Sequence, residues 1–416
     1  MIGELIANID ACPTAHHVVE RASSILVSQG FEQVALDSAF QSSHLPKSFI
    51  VSGGSIIAWK NGQSIATDGV RIVGAHTDSP GLHIKPKPDT QIFNWQQLQV
   101  EVYGGPLLNS WLDRDLAIAG HVVLRDGTTS LFSSGHPVAR IPQLAIHLDR
   151  DVNDKGLILN RHQHLTPIWS IGPAIIDFEQ WLAQRNFVST SQIASWSAQL
   201  VDTQNAQIFG REEEFIASSR IDNQISCWAA VSSFVAESGD SPMMIALFDH
   251  EEVGSQSASG AAGPLLEHVL ERLTAVSGAS RSDYLAALQK SHCVSADNAH
   301  AVHPNYTDRH ELNNAPQINA GIVVKTNVSQ RYATSARSVV PIMHAAATAG
   351  VQLQAFSSRN NIACGSTIGP ITSTRIGIET VDIGVPQLSM HSIREMCGTK
   401  DPADLVALLG AYFSRS

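Results

Sequence analysis

The stretch MMIALFDHEEVG, residues 243–254, begins with six consecutive apolar residues and ends in a cluster of charged side chains. A short apolar run bounded by polar residues and glycine is typical of a buried β-strand that leads into a loop. RIVGAH (71–76) and HCVSADN (292–298) have the same form, and each ends in residues that include histidine or aspartate. These three segments predict neighbouring buried strands that carry polar side chains at their ends.

Helical patterns separate these strands along the chain. They cover DNQISCWAAVSSFVAE (222–237), SARSVVPIMHAAATAG (335–350) and DPADLVALLGAYF (401–413, with Asp401 as the predicted N-cap), and a first helix is expected between Thr14 and Gly30. FIVSGGSIIAWK (49–60) reads as a further strand region. Strands that alternate with helices predict an α/β domain whose mixed sheet is flanked by helices and is largely parallel at its centre.

A different texture lies between residues 89 and 211. Short strand-like runs separated by glycine, proline and aspartate predominate there: LQVEVY (98–103), AGHVVLR (119–125) and LAIHLDR (144–150). The basic, proline-rich segment HIKPKPD (83–89) is the predicted boundary. We therefore expect residues 1–88 and 212–416 to form one α/β domain, interrupted by a β-rich insertion at 89–211.

The composition argues against several classes of protein. The 416 residues carry a formal net charge of −11, which does not favour binding to nucleic acid or to anionic membranes. The five cysteines contain no CxxC pair and are odd in number, so neither a disulfide framework nor a thiolate zinc site is expected. With no apparent signal peptide or membrane span, a reducing cytoplasm is the expected compartment.

Carboxylates and imidazoles recur at the predicted strand ends. They lie in AHTDSP (75–80), SRIDN (219–223), DHEEVG (249–254), ADNAH (296–300) and SMHS (389–392). Loops at the carboxyl ends of strands converge on one crevice in an α/β sheet, and such side chains gathered there favour a metal ion such as zinc. Taken singly, each has another interpretation: Asp222 is well placed as a helix N-cap, and His391 as a core histidine.

Two positions have a predicted role from their chemistry. Adjacent carboxylates at Glu251 and Glu252 point in different directions, so that one binds metal while the other acts as general base on water. Asp78, two residues after His76, is placed to hydrogen-bond the imidazole and fix its tautomer. The segment is not a zinc-binding HExxH helix, because Gly254 stands where the second histidine is required.

Six blocks together resemble the M18 family, the aspartyl aminopeptidases. They are AHTDSP, SRIDN, DHEEVGS, SADNAHAVHPN, NIACGSTIGP and LSMHSIREM, in the family's order along nearly the whole chain. The resemblance implies a zinc-exopeptidase-like catalytic domain interrupted by an oligomerisation domain. It also implies two Zn²⁺ ions per subunit, for which Co²⁺ or Mn²⁺ are possible substitutes, held by His76 and Asp297, by Glu252 and His391, and by a bridging Asp222.

The resemblance further implies what the chain acts on. The expected activity is removal of N-terminal residues, preferably Asp or Glu, from short peptides by hydroxide attack with Glu251 as general base and Asp78 as the orienting group. Lys325 is expected to receive the acidic side chain, Gly365 and Ser366 to contact the substrate backbone, and His147 to reach a neighbouring active site. A tetrahedral homo-dodecamer is the expected assembly.

Two other functions remain open from the residues. A dinuclear carboxypeptidase or amide deacylase uses similar metal chemistry but requires a cationic clamp for a substrate carboxylate. A non-enzymatic assembly protein that retained the fold is expected to have lost Glu251 or a ligand, and neither is lost here.

Overall fold

The computed structural model describes residues 1–414, and its secondary structure is assigned as follows. The helices are α1 (Ile2–Ala11), α2 (Ala15–Ser28), α3 (Ile65–Asp68), α4 (Val152–Lys155), α5 (Phe178–Arg185), α6 (Ile221–Ala236), α7 (Leu265–Val276), α8 (Arg281–Lys290), α9 (Val340–Ala349), α10 (Ile368–Ile376) and α11 (Asp401–Phe413). The strands are β1 (Glu32–Gln33), β2 (Lys47–Ser52), β3 (Ser55–Lys60), β4 (Arg71–His76), β5 (Gly81–Ile92), β6 (Trp95–Tyr103), β7 (Leu116–Leu124), β8 (Thr129–Ser133), β9 (Ile168–Ile171), β10 (Ile193–Asp202), β11 (Gln207–Phe209), β12 (Phe215–Ser218), β13 (Met243–Phe248), β14 (His292–Ala296), β15 (Ala299–His300), β16 (Ile322–Lys325), β17 (Leu353–Phe356), β18 (Glu379–Gly384), β19 (Pro386–Leu388) and β20 (Glu395–Gly398).

The largest sheet, which we call sheet A, confirms the predicted α/β architecture. Within the described residues its order is β1-β2-β3-β13-β4-β14-β18-β16-β17. The central strands β13, β4, β14 and β18 are mutually parallel, while β3 and β16 join them in antiparallel fashion. The carboxyl ends of the central strands therefore lie along one edge of the sheet.

Helices cover both faces of sheet A. Met243, Ile245 and Leu247 of β13 enter a core shared with α2, α6, α9 and α11. The alternate residues Met244 and Phe248 enter a second core with α7, α8 and α10. Because successive strand residues point to opposite faces, an unbroken apolar run is what a strand buried on both sides requires.

Sheet B, with the order β8-β7-β10-β5-β6-β9, has a hydrophobic core of its own. The segment 83–89, predicted as a boundary, is instead the middle of β5, which pairs with both β6 and β10. The change from sheet A to sheet B therefore falls between His76 and Gly81. The division of the chain into domains at 88 and 211 stays a prediction.

Sheet C, ordered β11-β12-β20-β19-β15, adjoins the carboxyl edge of sheet A. Its strand β12 leads into α6 through residue 220, and its strands β19 and β20 flank His391. Sheet C thus delivers two of the predicted site residues from parts of the chain far apart in sequence.

Three local predictions were wrong or incomplete. Residues 144–150 form no strand but contain a 3-10 helix at Ile146–Leu148, because all of them are exposed and no face is buried. The run 49–60 is a hairpin of β2 and β3 that turns at Gly53, where φ is +60°. Asp401 is the first residue of α11, not its N-cap, and its carboxylate accepts the amides of Asn319 and Gly321.

Across residues 1–414, none of the helices combines the length and apolar character needed to cross a membrane.

Candidate metal centre

Five predicted ligands from four strand ends and one helix start converge at the edge of sheet A. His76 is the last residue of β4, Asp297 follows β14, and Glu252 lies in a 3-10 turn after β13. Asp222 lies at the start of α6, and His391 lies in the turn between β19 and β20. Each imidazole lies within 3.7 Å of two of the carboxylates.

Asp222 stands between the two histidines. Its Oδ1 lies 3.3 Å from Nε2 of His76, and its Oδ2 lies 3.7 Å from Nε2 of His391. It does not cap α6, since Arg220 occupies the N-cap position; the peptide bond that follows Asp222 is cis. One carboxylate thus presents a separate oxygen to each imidazole, which is the arrangement of a bridging ligand.

A further carboxylate completes each end of the cluster. Oδ1 of Asp297 lies 3.6 Å from Nε2 of His76, and Oε2 of Glu252 lies 3.5 Å from Nε2 of His391. We call these the His76 end and the His391 end. Ligand atoms of His76, Asp222 and Glu252 also fall within 4.8 Å of one another, so the two ends are close together.

The electrostatics of the cluster fit a bound cation. Burial opposes protonation of His76, yet the neighbouring carboxylates of Asp222, Asp297 and Asp78 hold its pKa well above the ordinary value. Burial and the charge of Asp222 raise the pKa of Glu252 well above its ordinary range. Oδ1 of Asp222 is buried without a hydrogen bond among the described residues. In the absence of metal, protons must supply the positive charge that these ligands need, and zinc accepts the same nitrogen and oxygen donors.

Asp78 links three parts of the site. Its Oδ1 lies 3.4 Å from Nδ1 of His76, and its oxygens accept the backbone amides of Glu251 at 3.2 Å and Glu252 at 3.1 Å. The hydroxyl of Tyr103, the last residue of β6, donates to Oδ2 at 2.7 Å. Nδ1 of His76 therefore faces Asp78, 3.0 Å from its backbone carbonyl and 3.4 Å from its carboxylate, which leaves Nε2 for the cluster.

Glu251 lies beside the cluster rather than within it. Burial raises the pKa of its carboxyl to about 8, and the charges of Asp297 and Asp222 act in the same direction. A carboxyl with a pKa near neutrality is suited to general acid and base chemistry. Divalent cations at the ligands would favour its ionised form.

Lys325 is at the His76 end. It is only 2% exposed, and its Nζ lies 3.6 Å from Oδ2 of Asp297 and donates to the carbonyl of Asn298 at 3.2 Å. The charge of Lys325 offsets the burial of Asp297 and holds the pKa of that carboxyl below its ordinary value. Lys325 also lies over the ring of Tyr332, 5.1 Å from the centroid.

A cavity of about 410 Å³ is lined both by Ser389 and Met390, which precede His391, and by Tyr332, whose ring lies below Lys325. Its lining includes Tyr332, Arg359, Gly365 and Ser389, and Lys325 is not part of it. Of the two glycine-loop residues predicted to contact substrate, Gly365 thus lines this cavity, whereas Ser366 is exposed and donates to the carbonyl of Arg331.

His147 is exposed on its 3-10 helix and does not line this cavity. Sequence patterns did not single out Tyr103 or Glu395, although both touch the site through hydrogen bonds. Glu395 lies within the block LSMHSIREM, but nothing in that block distinguishes it from a solvated charge.

Comparison with known proteins identifies the family of the chain. The chain matches the family model described as aminopeptidase I zinc metalloprotease (M18) over residues 8–413. It is 44% identical over 417 residues to a probable M18 family aminopeptidase 2 of Streptomyces coelicolor, covering 98% of this chain and 96% of that relative. Its identity to a probable M18 family aminopeptidase 2 of Pseudomonas fluorescens is 41% over 421 residues, covering 99% and 97%.

Solved structures share the fold. A chain of the Ape4 and Nbr1 complex, determined by cryo-EM, has a TM-score of 0.94 at 34% identity and covers 99% of this chain and 85% of that one. The S. cerevisiae mApe1 dodecamer has a TM-score of 0.85 at 26% identity, with coverage of 100% and 96%. The chain therefore belongs to the M18 family and is a zinc-dependent aminopeptidase, a hydrolase of peptide bonds.

Proposed function

We propose that the chain removes acidic N-terminal residues from short peptides at a centre of two zinc ions, with Glu251 as general base. The position of Asp222, with one oxygen toward each imidazole, is the observation that carries the two-ion centre. In this proposal His76 and Asp297 hold one ion, Glu252 and His391 hold the other, and Asp222 serves both.

The roles of the remaining residues follow from where they lie. Two bound zinc ions would polarise the scissile carbonyl and lower the pKa of water. Glu251 takes the proton from the attacking water and returns it to the leaving amine. Asp78 fixes the positions of Glu251 and Glu252 relative to each other, because its carboxylate accepts hydrogen bonds from both of their backbone amides.

Exposure indicates the side from which substrate arrives. The side chain of His391 is 31% exposed, whereas that of His76 is 2% exposed. The peptide therefore enters from the His391 end, next to which Ser389 and Met390 line the cavity. In this proposal the free α-amine binds there, and an acetylated nitrogen, which has lost its basic lone pair, does not.

The acidic preference rests on positive charge near that entrance. Arg309 and Arg359 line the cavity, while Lys325 is already paired with Asp297. An arginine fork matches a carboxylate well. We therefore assign direct contact with the acidic side chain to Arg309 or Arg359 as well as to Lys325, whose role as a reader stays a prediction.

Hydrolysis of a panel of chromogenic amides tests the activity. The panel contains Asp, Glu, Leu, Ala and N-acetyl-Asp amides, assayed before chelation, after it, and after return of zinc, cobalt or manganese. We expect metal-dependent cleavage led by the free Asp and Glu amides, with the acetylated amide uncut. Cleavage of the blocked amide would instead favour a deacylase, and no cleavage with any metal would favour a non-enzymatic role.

Two variants separate the candidate readers of the acidic side chain. Arg359→Met is expected to lower the ratio of Asp-amide to Ala-amide kcat/KM while leaving bound zinc unchanged. Lys325→Met is expected to lower kcat/KM on every substrate, because Asp297 loses its cationic partner. It should also lower the ratio of Asp-amide to Ala-amide kcat/KM if Lys325 contacts the acidic side chain. If only Lys325→Met changes the ratio, Lys325 is the reader and Arg359 is not.

We further propose a homo-dodecamer, as in the S. cerevisiae mApe1 structure. Large apolar side chains are exposed along residues 89–211, among them Phe93, Leu148, Ile158, Ile175 and Phe187. Exposed apolar surface on this scale is typical of an interaction site. Light scattering is expected to give twelve times the 44.7 kDa chain mass, and His147 can then be tested for a contact with a neighbouring subunit.

Placement in the cytoplasm also stays a prediction. All five cysteines are free thiols, and a reducing compartment keeps thiols in that state, which supports the prediction.

A further inference from the structure

Glu395 is a buried carboxylate at the back of the metal centre. It is 2% exposed and begins β20, where it lies opposite Ser218 of the antiparallel strand β12. Four residues after Ser218 the chain reaches Asp222, and four residues before Glu395 it passes through His391. Glu395 therefore lies where the two segments that supply these ligands meet.

Both oxygens of Glu395 accept hydrogen bonds from the metal-centre segments. Oε2 accepts the backbone amide of Asp222 at 2.9 Å, and Oε1 accepts the backbone amide of His391 at 2.7 Å. The side-chain amide of Gln387 also donates to Oε1, at 3.3 Å. Since both oxygens are engaged in this way, Glu395 acts on the ligands through their backbone and is not a ligand itself.

The hydrogen bond to Glu395 helps to maintain an unusual backbone conformation at His391. His391 has a φ of +68°, a left-handed conformation that non-glycine residues adopt only when surrounding contacts hold them there. The hydrogen bond to Glu395 is made by the amide of that same residue. The ring itself is oriented by a hydrogen bond between its Nδ1 and the carbonyl of Gly105 at 3.0 Å, so loss of the Glu395 contact would remove the restraint on the backbone of His391 and leave the one on its ring.

We propose that Glu395 is a positioning residue that fixes Asp222 and His391 relative to each other and thereby builds the cation site at the His391 end. This inference rests on the proposed two-zinc function. At the His76 end, by contrast, the ligands are positioned by β4, by Asp78 and by Lys325. Loss of Glu395 should therefore lower the affinity for zinc at the His391 end more than the affinity for zinc at the His76 end.

Asp401 provides a matched control. It is fully buried and accepts two backbone amides, from Asn319 at 2.6 Å and from Gly321 at 3.0 Å, just as Glu395 does. Neither donor residue is a proposed metal ligand. Asp401→Asn should lower the melting temperature in the way that Glu395→Gln does, without a change in bound zinc.

The test is bound zinc per chain in full-length protein, measured by mass spectrometry of the metal over a series of chelator-buffered free zinc concentrations. We expect two ions in the wild type and in Asp401→Asn. In Glu395→Gln we expect the dissociation constant of the weaker ion to rise roughly 10- to 100-fold, the range typical of residues that orient ligands. Glu395→Asp, which keeps the carboxyl group but shortens the side chain, replaces Glu395→Gln if the latter does not fold.

Unchanged zinc constants in Glu395→Gln would overturn the inference, as would an equal loss of zinc in Asp401→Asn. A wild type that binds fewer than two ions would overturn the proposed two-zinc centre itself, which distinguishes that failure from one confined to Glu395.

Discussion

The two ends of the metal centre are built differently. At the His76 end the imidazole is buried, Asp297 is paired with Lys325, and Nδ1 of His76 faces Asp78. At the His391 end the imidazole is partly exposed, and His391 is held by hydrogen bonds of its Nδ1 with the carbonyl of Gly105 and of its backbone amide with Glu395. This difference suits a metal centre in which the His76 end binds its ion tightly and the His391 end is accessible to substrate.

The largest expected effect on activity comes from a substitution of Glu251, which belongs to neither end of the metal centre. Glu251→Gln should lower kcat by about 10²- to 10⁴-fold, the usual contribution of a general base. It should leave both ends loaded, because Glu251 is not a predicted ligand. Measurement of kcat on Asp amide together with zinc content checks this, with Glu271→Gln on α7 as a control of the same chemistry outside the site. A variant that retains most of its activity would remove Glu251 from its role.

In the zinc-free protein, substitutions at the His76 end and at the His391 end should lower the free energy of unfolding by different amounts. Asp297→Asn leaves the buried Lys325 without its carboxylate, and loss of one partner of a buried pair costs roughly 3–5 kcal/mol. Glu252→Gln should cost less, because the raised pKa of this carboxyl favours its neutral form and the amide is of equal size.

Urea unfolding of the zinc-free variants measures this difference. Equal losses of unfolding free energy would show that the two ends are supported alike, against the comparison drawn here.

Zinc affinity should rise with pH at both ends. In the zinc-free protein the pKa values of His76 and Glu252 are raised, so protons compete with the metal for both groups up to a higher pH than usual. Affinity is then highest above these pKa values and falls as the pH drops through them, by about tenfold per pH unit for each proton released. Calorimetry of zinc binding in buffers of different ionisation enthalpy counts these protons, and zero release at neutral pH would contradict the prediction.

A smaller effect than that of Asp297→Asn is expected at the orienting carboxylate, Asp78. Tyr103→Phe removes only the hydroxyl that donates to Asp78, which should cost about 1.5–3 kcal/mol of folding stability, as for other hydrogen bonds to charged groups. Tyr284→Phe is the control, because the Tyr284 hydroxyl is buried without a hydrogen-bond partner in the described chain. If the two variants unfold alike, Tyr103 does not support the His76 end.

Sequence patterns found the residues that lie at strand ends. His76, Glu252 and Asp297 each follow an apolar strand of sheet A, and parallel strands bring their carboxyl ends together. Sequence patterns did not identify residues whose hydrogen-bond partners in the site are distant in the sequence. Tyr103 lies 25 residues from Asp78, and Glu395 lies 173 residues from Asp222, so no local spacing marks either contact.

Exposure explains the errors in secondary structure. The alternation at 144–150 is that of a strand, but none of those side chains is buried, so no sheet forms. The prolines at 86 and 88 suggested a boundary, whereas β5 continues through both of them because they fall in an irregularity between Ile84 and Asp89, where the pairing with β6 is interrupted.

By itself, the sequence determined the α/β class, the strands of sheet A and the residue types that form the metal centre, because apolar periodicity and strand-end polarity are local properties. Only the tertiary structure decided which oxygen of Asp222 faces which histidine, that Lys325 pairs with Asp297, and that Glu395 joins the segments of Asp222 and His391. Those contacts join residues far apart in the chain, and only the packing of sheets A and C brings them within hydrogen-bonding distance.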